Sequence, residues 1–226
     1  MVYDFDKDGL AEMMCKTAPG SKDGEGSYVS EAGTLDAIKN TNNTKSWRTN
    51  DGKIDGGYEF LTVFNGLTGK AVHTVFYKPN RNATTVGSEA KGTYNWDDRS
   101  GKNDKGSYGN RGERYLAAVA YLDGPDANPS AVFVRGYYTY AYLWAVTFDG
   151  KEIKDNWYHS SHSNTQYKLT DAEGKTTTHS AKNPTRGSGS RTMYGNGNHN
   201  LSVGDVDGDG ADEIVWGSAA LDNDGM

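Results

Sequence analysis

The sequence has one cysteine, five prolines and no long apolar segment among its 226 residues. A lone cysteine, Cys15, excludes an internal disulfide, and its position in a predicted strand is typical of a small buried apolar residue. The lack of a long apolar run excludes a membrane-spanning helix. Lys and Arg number 24 against 30 Asp and Glu, which argues against binding to a phosphate backbone. We therefore expect no nucleic-acid partner and no membrane partner.

Glycine and tyrosine are abundant, with 29 Gly and 15 Tyr, and aromatic residues make up 12% of the chain. This aromatic content argues against disorder, which depletes such residues. Frequent Gly, Asn and Asp between short aromatic and β-branched runs are typical of short strands joined by turns. The composition therefore predicts an all-β protein.

Two segments, residues 4–12 and 205–213, share one acidic pattern, with carboxylates at positions 1, 3, 5 and 9 and glycine at position 6. Alternating oxygen ligands suit a hard cation such as calcium, which binds about six to eight oxygens, and position 7 can add its backbone carbonyl. The last residues of the chain resemble the start of another acidic loop. The candidate metal ligands are Asp4, Asp6, Asp8, Leu10, Glu12, Asp205, Asp207, Asp209, Ala211, Glu213, Asp222 and Asp224.

The spacing excludes an EF-hand, which needs Glu at position 12 and a following helix. Position 12 is Cys15 in the first loop and Trp216 in the second, and the residues around Trp216 predict a strand. The alternative for either loop is a solvated acidic turn, since Asp and Gly are common in turns.

Three blocks of predicted strands recur, at residues 3–77, 114–158 and 200–226, the last of them truncated. A complete block consists of four short strands, with the acidic loop between the first and second and an Asn-Gly or Asp-Gly turn before the last. Repeated four-stranded units are typical of β-propeller blades, so the chain would cover about two blades and part of a third. The alternative is a set of unrelated hairpins in a sandwich.

Irregular inserts are predicted at residues 18–57, 78–112 and 160–196, and residues 170–191 are polar enough to be mobile. Both ends fall inside a block, so we expect an internal segment of a longer chain.

Polar and aromatic clusters fall at the strand ends opposite the acidic loops. In a blade of alternating strands these ends share one face, where cations, amides and tyrosines suit an anionic sugar chain. The candidate substrate-binding residues are Lys16, Asn110, Arg111, Arg135, Tyr138, Asn198 and His199. The alternatives are a surface ion pair for each arginine and a turn held by the ring nitrogens of His199.

Several longer motifs carry a family resemblance. They include Glu-Phe-Leu-Thr-Val-Phe-Asn-Gly-Leu-Thr-Gly at 59–69, Tyr-Leu-Ala-Ala-Val-Ala-Tyr-Leu-Asp-Gly at 115–124, Arg-Gly-Tyr-Tyr-Thr at 135–139 and Gly-Asn-His-Asn-Leu-Ser-Val-Gly at 197–204, continuing into the second acidic loop. Together these motifs resemble the bacterial rhamnogalacturonan lyases of polysaccharide lyase family 11, nearly end to end.

The resemblance implies an eight-bladed propeller, structural calcium, secretion to the periplasm, cell surface or medium, and β-elimination in the rhamnogalacturonan I backbone of pectin. It also implies further blades outside this chain that hold much of the cleft. No catalytic base is therefore assigned, and we expect the chain to be inactive alone. We expect a monomer. The competing hypothesis is a non-enzymatic calcium propeller, similar to integrin repeats, that serves adhesion or sugar binding.

Overall fold

A computed structural model describes residues 1–48, 50, 52, 54, 57–80, 112–138, 141–160, 166–170, 176–180 and 195–225. The chain divides into two compact units. The first contains Met1–Tyr94 and Phe148–Ile153, and the second contains Asn95–Thr147 and Lys154–Met226.

The first unit is built on a four-stranded antiparallel sheet whose strand order follows the chain. Its strands are β1 (Val2–Tyr3), β2 (Glu12–Thr17), β3 (Phe60–Asn65) and β4 (Ala71–Phe76). The predicted turn between β3 and β4 is confirmed, because the side chain of Asn65 accepts the N–H groups of Leu67 and Thr68 at 3.1 and 3.0 Å. Five of the six β3 residues are buried, so both faces of this central strand are covered.

The insert at residues 18–57 is not wholly irregular. It contains a 3-10 helix at Val29–Ala32 and a short helix, α1 (Asp36–Lys39). Val29 and Ile38 are fully buried in one core with Phe60 and Phe76. The prediction of an irregular polar insert is therefore wrong here, because a few apolar side chains dock this segment onto the sheet. Each such burial contributes about 1.5–3 kcal/mol.

A row of threonine hydroxyls crosses the first sheet. Thr17 and Thr62 lie 2.7 Å apart, and Thr62 and Thr74 lie 3.0 Å apart. Thr74 donates to the carbonyl of Val29 at 2.7 Å. Because a hydroxyl carries one proton, Thr74 accepts from Thr62, and Thr62 accepts from Thr17. The row thus ties β2, β3 and β4 to the 3-10 helix.

The second unit contains two sheets. Its larger sheet, which runs through the 148–153 hairpin grouped with the first unit, has six strands in the order β10-β9-β8-β7-β6-β5. They are β5 (Tyr115–Ala120), β6 (Ser130–Arg135), β7 (Tyr142–Phe148), β8 (Ile153–Ser160), β9 (Gln166–Thr170) and β10 (Thr176–Ser180). The smaller sheet is formed by β11 (Ser202–Gly204), β12 (Glu213–Trp216) and β13 (Ala219–Leu221).

The two sheets of the second unit share one apolar core. Val132, Leu143 and Trp157 of the larger sheet pack in the same cluster as Ile214 and Trp216 of the smaller sheet. All six residues of β6 are buried, as expected for a strand with packing on both faces. This core fixes the strand ends that carry the candidate site.

The all-β prediction is confirmed: the described residues form antiparallel sheets with little helix. The prediction that residues 160–196 form an irregular insert is wrong where the structure describes strands β9 and β10. In β10, the β-branched residues Thr176, Thr177 and Thr178 favour extended backbone. The blade assignment of 3–77, 114–158 and 200–226 and the propeller stay predictions. Among the described residues, no helix is both long and apolar enough to cross a bilayer.

Candidate functional site

The first acidic loop brings three carboxylates together between β1 and β2. One oxygen from each of Asp4, Asp6 and Asp8 lies within 4.8 Å of the others. The loop closes because Gly9 donates its N–H to Asp4 at 3.0 Å. Gly9 has a φ of 92°, a left-handed conformation that explains why glycine stands at position 6. At position 9, Glu12 accepts the Phe5 N–H at 3.0 Å.

The second acidic loop repeats this backbone pattern between β11 and β12. Gly210, with a φ of 95°, donates its N–H to Asp205 at 3.1 Å, and Val206 donates to Glu213 at 2.5 Å. Here the close group consists of Asp205, Asp207 and Glu213, within the same 4.8 Å limit. The two loops therefore share a fold, although each gathers a different set of three carboxylates.

The chemistry of both loops fits a hard divalent cation. The Oε1 atom of Glu213 is buried and has no hydrogen-bond partner within the described part of the chain. Burial raises the pKa of Glu12, and the charges of Asp6, Asp8 and Asp4 raise it further against the opposing Phe5 hydrogen bond. Clustered carboxylates with a buried, unpaired oxygen are stabilised when a cation lies between them.

The remaining predicted metal ligands are less defined. Leu10 and Ala211 donate their N–H groups to Asp8 and Asp209 at 2.7 and 2.8 Å, and the use of their carbonyls stays a prediction.

At the end of the chain, Asp222 accepts the N–H of Asn223 at 2.8 Å. Neither Asp222 nor Asp224 belongs to a close three-carboxylate group among residues the structure describes.

Lys16, in the first unit, forms an ion pair with Glu59 at 2.8 Å. The side chain of Lys16 is 31% exposed, whereas that of Glu59 is 1% exposed. The lysine thus compensates the charge of a buried carboxylate. Contact of Lys16 with a substrate stays a prediction.

Arg135, at the end of β6, is 1% exposed. Its Nε donates to the Gly112 carbonyl at 2.8 Å, its Nη2 pairs with Glu113 at 3.2 Å, and its guanidinium lies 5.1 Å from the centre of the Tyr115 ring. Arg135 therefore anchors the segment that enters β5. Its contact with a substrate stays a prediction.

Tyr138 and His199 are brought together by the second unit. Their ring centres lie 6.4 Å apart, and both rings contact Tyr137, at 4.6 and 5.5 Å. Arg114 donates from Nη2 to Nδ1 of His199 at 2.5 Å. Tyr138 is 49% exposed and His199 is also exposed. We call Arg114, Tyr137, Tyr138 and His199 the aromatic–cation cluster.

The loop at residues 195–200 is held in place by β12. Asn196 donates to the Trp216 carbonyl at 2.5 Å, and Trp216 donates from its ring to the Asn198 carbonyl at 3.2 Å. The side chain of Asn198 donates to the Asn200 carbonyl at 2.8 Å. Asn198 thus shapes the turn that presents His199, and its own contact with a substrate stays a prediction.

The Tyr138 backbone donates to Asn196 at 2.7 Å and has a φ of 62°, which a bulky residue rarely adopts. A Cβ added at Gly197 would overlap the Tyr138 ring, so glycine is required for this approach. Such strain in an exposed aromatic residue is common at functional sites.

The sequence analysis missed two members of the cluster, Arg114 and Tyr137. Arg114 precedes β5 and meets His199 only through the fold, so no local spacing marks it. Tyr137 is part of the Arg-Gly-Tyr-Tyr motif but is 9% exposed and packs in the core. Two other predicted residues, Asn110 and Arg111, lie outside the described residues.

Comparison with known proteins relates this all-β chain to a family that is named for lyases. The family model described as rhamnogalacturonan lyase family 11, C-terminal domain, matches residues 1–181 and 171–226. The chain therefore belongs to rhamnogalacturonan lyase family 11, and the resemblance found in the sequence is confirmed.

Individual relatives agree with this assignment. The chain is 38% identical over 225 residues to the rhamnogalacturonan endolyase YesW and 37% identical over 225 residues to the rhamnogalacturonan exolyase YesX, both from Bacillus subtilis (strain 168). Each alignment covers 100% of this chain and 28% of the relative. The structure of the Bacillus licheniformis rhamnogalacturonan lyase PL11 matches with a TM-score of 0.69 and 39% identity, over 100% of this chain and 29% of that one.

Proposed function

We propose that the protein containing this chain is a lyase that cleaves the rhamnogalacturonan I backbone of pectin. The observation that carries the proposal is the alignment of the whole chain with an endolyase and an exolyase that are both named for rhamnogalacturonan. The chain spans only 28% of those relatives, so we propose that the activity needs a longer protein and that the 226-residue chain alone is inactive.

The proposed reaction is a β-elimination at galacturonate. A base removes the proton on C5, the electron pair forms the C4–C5 double bond, and the bond from C4 to O4 breaks. The leaving O4 takes a proton, so an unsaturated sugar ends one product. Negative charge grows on the galacturonate carboxylate, and a nearby cation must stabilise it. We assign no base within this chain.

The aromatic–cation cluster supports substrate binding by this chain. Tyr138 offers an exposed ring with a polar tip, which suits a sugar face, and His199 lies beside it with an exposed imidazole. The nearby positive charge of Arg114 favours an anionic chain. A solely structural calcium protein has no need for a strained, exposed tyrosine next to an arginine–histidine pair.

We propose that both acidic loops bind calcium as structural sites. Asp4, Asp6 and Asp8 would hold one ion, and Asp205, Asp207 and Glu213 the other, with oxygen ligands only. When bound, the metal would supply positive charge that offsets the repulsion between the carboxylates of each loop. These loops do not favour a lyase over an adhesion protein, because both would use calcium in this way.

The propeller, the extracellular location and the monomeric state also remain proposals. The chain-order antiparallel sheet β1-β2-β3-β4 supports a blade-like unit. An experimental structure of the full-length protein tests the propeller, and fractionation with sedimentation tests the location and the monomer.

The activity is tested by incubating the full-length protein with rhamnogalacturonan I and recording ultraviolet absorbance from the unsaturated product. A rise in absorbance is expected. Binding to the polysaccharide without any cleavage would favour the non-enzymatic calcium protein instead. Product size separates endo from exo cleavage.

A further inference from the structure

His199 is held in one tautomer by Arg114. The guanidinium Nη2 lies 2.5 Å from Nδ1 of His199. A guanidinium has only donors and stays protonated, so Nδ1 must be the acceptor of this hydrogen bond. The imidazole is then neutral and its proton lies on Nε2.

Both members of this pair are braced by one buried ring. The guanidinium carbon of Arg114 lies 5.2 Å from the centre of the Tyr137 ring, and the His199 ring lies edge-on to Tyr137 at 5.5 Å and 77°. Tyr137 is 9% exposed and packs in the core shared by the two sheets. The pair is therefore not formed by two loose surface side chains.

In this arrangement His199 has no lone pair to offer. Nδ1 receives the Arg114 proton, and Nε2 carries its own proton. Within the described residues, Nε2 has no hydrogen-bond partner, and the residue is exposed. What His199 presents outward is an N–H donor, which suits a hydroxyl or carboxylate oxygen of a sugar.

We propose that Arg114 is a positioning residue that fixes His199 as an Nε2–H donor to a substrate oxygen, so that His199 does not act as the base of the elimination. This inference rests on the proposed function for its substrate. It assigns to Arg114 a specificity role that the sequence analysis did not foresee, and it removes one histidine from the candidates for the base.

Replacement of His199 separates a donor from a base. The amide nitrogen of Gln reaches about the position of Nε2 and donates, but it cannot accept a proton, whereas Ala does neither. His199→Ala in the full-length protein should lower kcat/KM for rhamnogalacturonan I by about 10- to 100-fold, as for a lost hydrogen bond to a charged group. His199→Gln should recover about 10-fold of that loss. Equal losses of about 100-fold or more in both variants, with loss of the acidic limb of the pH profile, would overturn the proposal, because a base is active only when it is deprotonated.

Nitrogen-15 spectra of the histidine rings test the role of Arg114 without any substrate. The His199 signals are identified by their absence in His199→Gln. At neutral pH the unmodified protein should show the Nε2–H tautomer alone, Arg114→Met should show both tautomers, and Arg114→Lys, which keeps a donor, should restore the single tautomer. A single Nε2–H tautomer in Arg114→Met would overturn the positioning role.

The two experiments fail in different ways. If the unmodified full-length protein does not cleave rhamnogalacturonan I, the proposed function fails, while the spectra still decide whether Arg114 fixes the tautomer. Kinetics of Arg114→Met are measured in the same way. If the unmodified protein cleaves the polysaccharide but Arg114→Met shows no rise in KM relative to kcat, only the specificity role of Arg114 fails.

Discussion

The backbone N–H of Ile153 donates a 2.8 Å hydrogen bond to Nδ1 of His73. His73 lies in β4 and is 5% exposed, and its Nε2 has no hydrogen-bond partner among the described residues. Burial lowers its pKa from the ordinary 6.5, and the charges of Glu152 and Asp149 oppose this effect without cancelling it. The folded protein therefore holds His73 neutral, with its proton on Nε2.

The buried neutral state of His73 predicts that the stability of the protein falls in mild acid. The unfolded chain binds a proton at His73 near pH 6.5, whereas the folded chain binds it only at lower pH. The contribution of His73 to the free energy of unfolding is fully present above pH 6.5. It is lost as the pH falls towards the lowered pKa, by up to about 1.4 kcal/mol per pH unit. Urea unfolding across this range measures the loss.

His73→Asn is the matched variant, because its side-chain oxygen can accept the Ile153 N–H but does not titrate. The difference in unfolding free energy between the two proteins should therefore shrink, or change sign in favour of the variant, as the pH falls. A constant difference across the range would show that His73 titrates alike in the folded and unfolded states.

Calcium removal should destabilise the protein. A cation at a free concentration 100 times its Kd adds about 2.7 kcal/mol to the free energy of unfolding. This corresponds to a Tm change of about 5–10 °C for a chain of this size. Thermal unfolding with excess calcium and with a chelator measures this change. Asp207→Asn should reduce the gain from calcium. Asp126→Asn, an exposed carboxylate outside both loops, should retain it. An identical Tm with calcium and with chelator would contradict both proposed sites.

Asp23 should contribute more to the free energy of unfolding than its neighbours in the same insert. Its carboxylate accepts the N–H groups of Glu25 and Ser27 at 3.0 and 2.9 Å, and of Ala71 at the start of β4 at 3.0 Å. Burial acts to raise its pKa, but these hydrogen bonds outweigh burial and lower it. Asp23→Asn should cost about 1–3 kcal/mol of unfolding free energy, because the amide cannot accept from all three donors.

Glu25→Gln is the control for this change. Glu25 pairs with Lys70 at 3.0 Å, but both side chains are well exposed, so the loss should be below about 1 kcal/mol. Equal losses for the two variants, measured by urea unfolding at pH 7, would show that Asp23 does not tie the insert to the hairpin.

Gly197→Ala should displace the exposed Tyr138 ring. A Cβ at Gly197 would overlap that ring, and such overpacking costs about 1–3 kcal/mol. Gly204→Ala is the control, since a Cβ there meets nothing within 4 Å. Unfolding free energies of the two variants, with a crystal structure of Gly197→Ala, check the prediction. If Gly197→Ala is no more destabilising than Gly204→Ala and leaves Tyr138 in place, the approach of ring to backbone is not tight.

Local patterns in the sequence were sufficient to predict most of the strands and both acidic loops. The alternation of carboxylates around Gly9 and Gly210 specifies a turn by itself, because the hydrogen bonds that close it join residues five apart. The β3–β4 turn is local for the same reason, since Asn65 caps its own loop.

Contacts distant in the chain were not predictable in the same way. Arg114 and His199 are 85 residues apart, and His73 and Ile153 are 80 apart, so each contact depends on tertiary structure and not on a local pattern. The helical turns within 18–57 are not predictable because, among the described residues of that polar stretch, only two apolar side chains, Val29 and Ile38, are fully buried. Such sparse apolar positions show no period.

The proposed lyase activity is tested most directly by analysing the chemical structure of the cleaved polysaccharide. Full-length protein should convert rhamnogalacturonan I into fragments that absorb in the ultraviolet and end in an unsaturated galacturonate, each lighter by one water than the corresponding hydrolysis product in mass spectrometry. Saturated fragments of hydrolytic mass, or intact polysaccharide after prolonged incubation with calcium present, would contradict the proposed lyase activity.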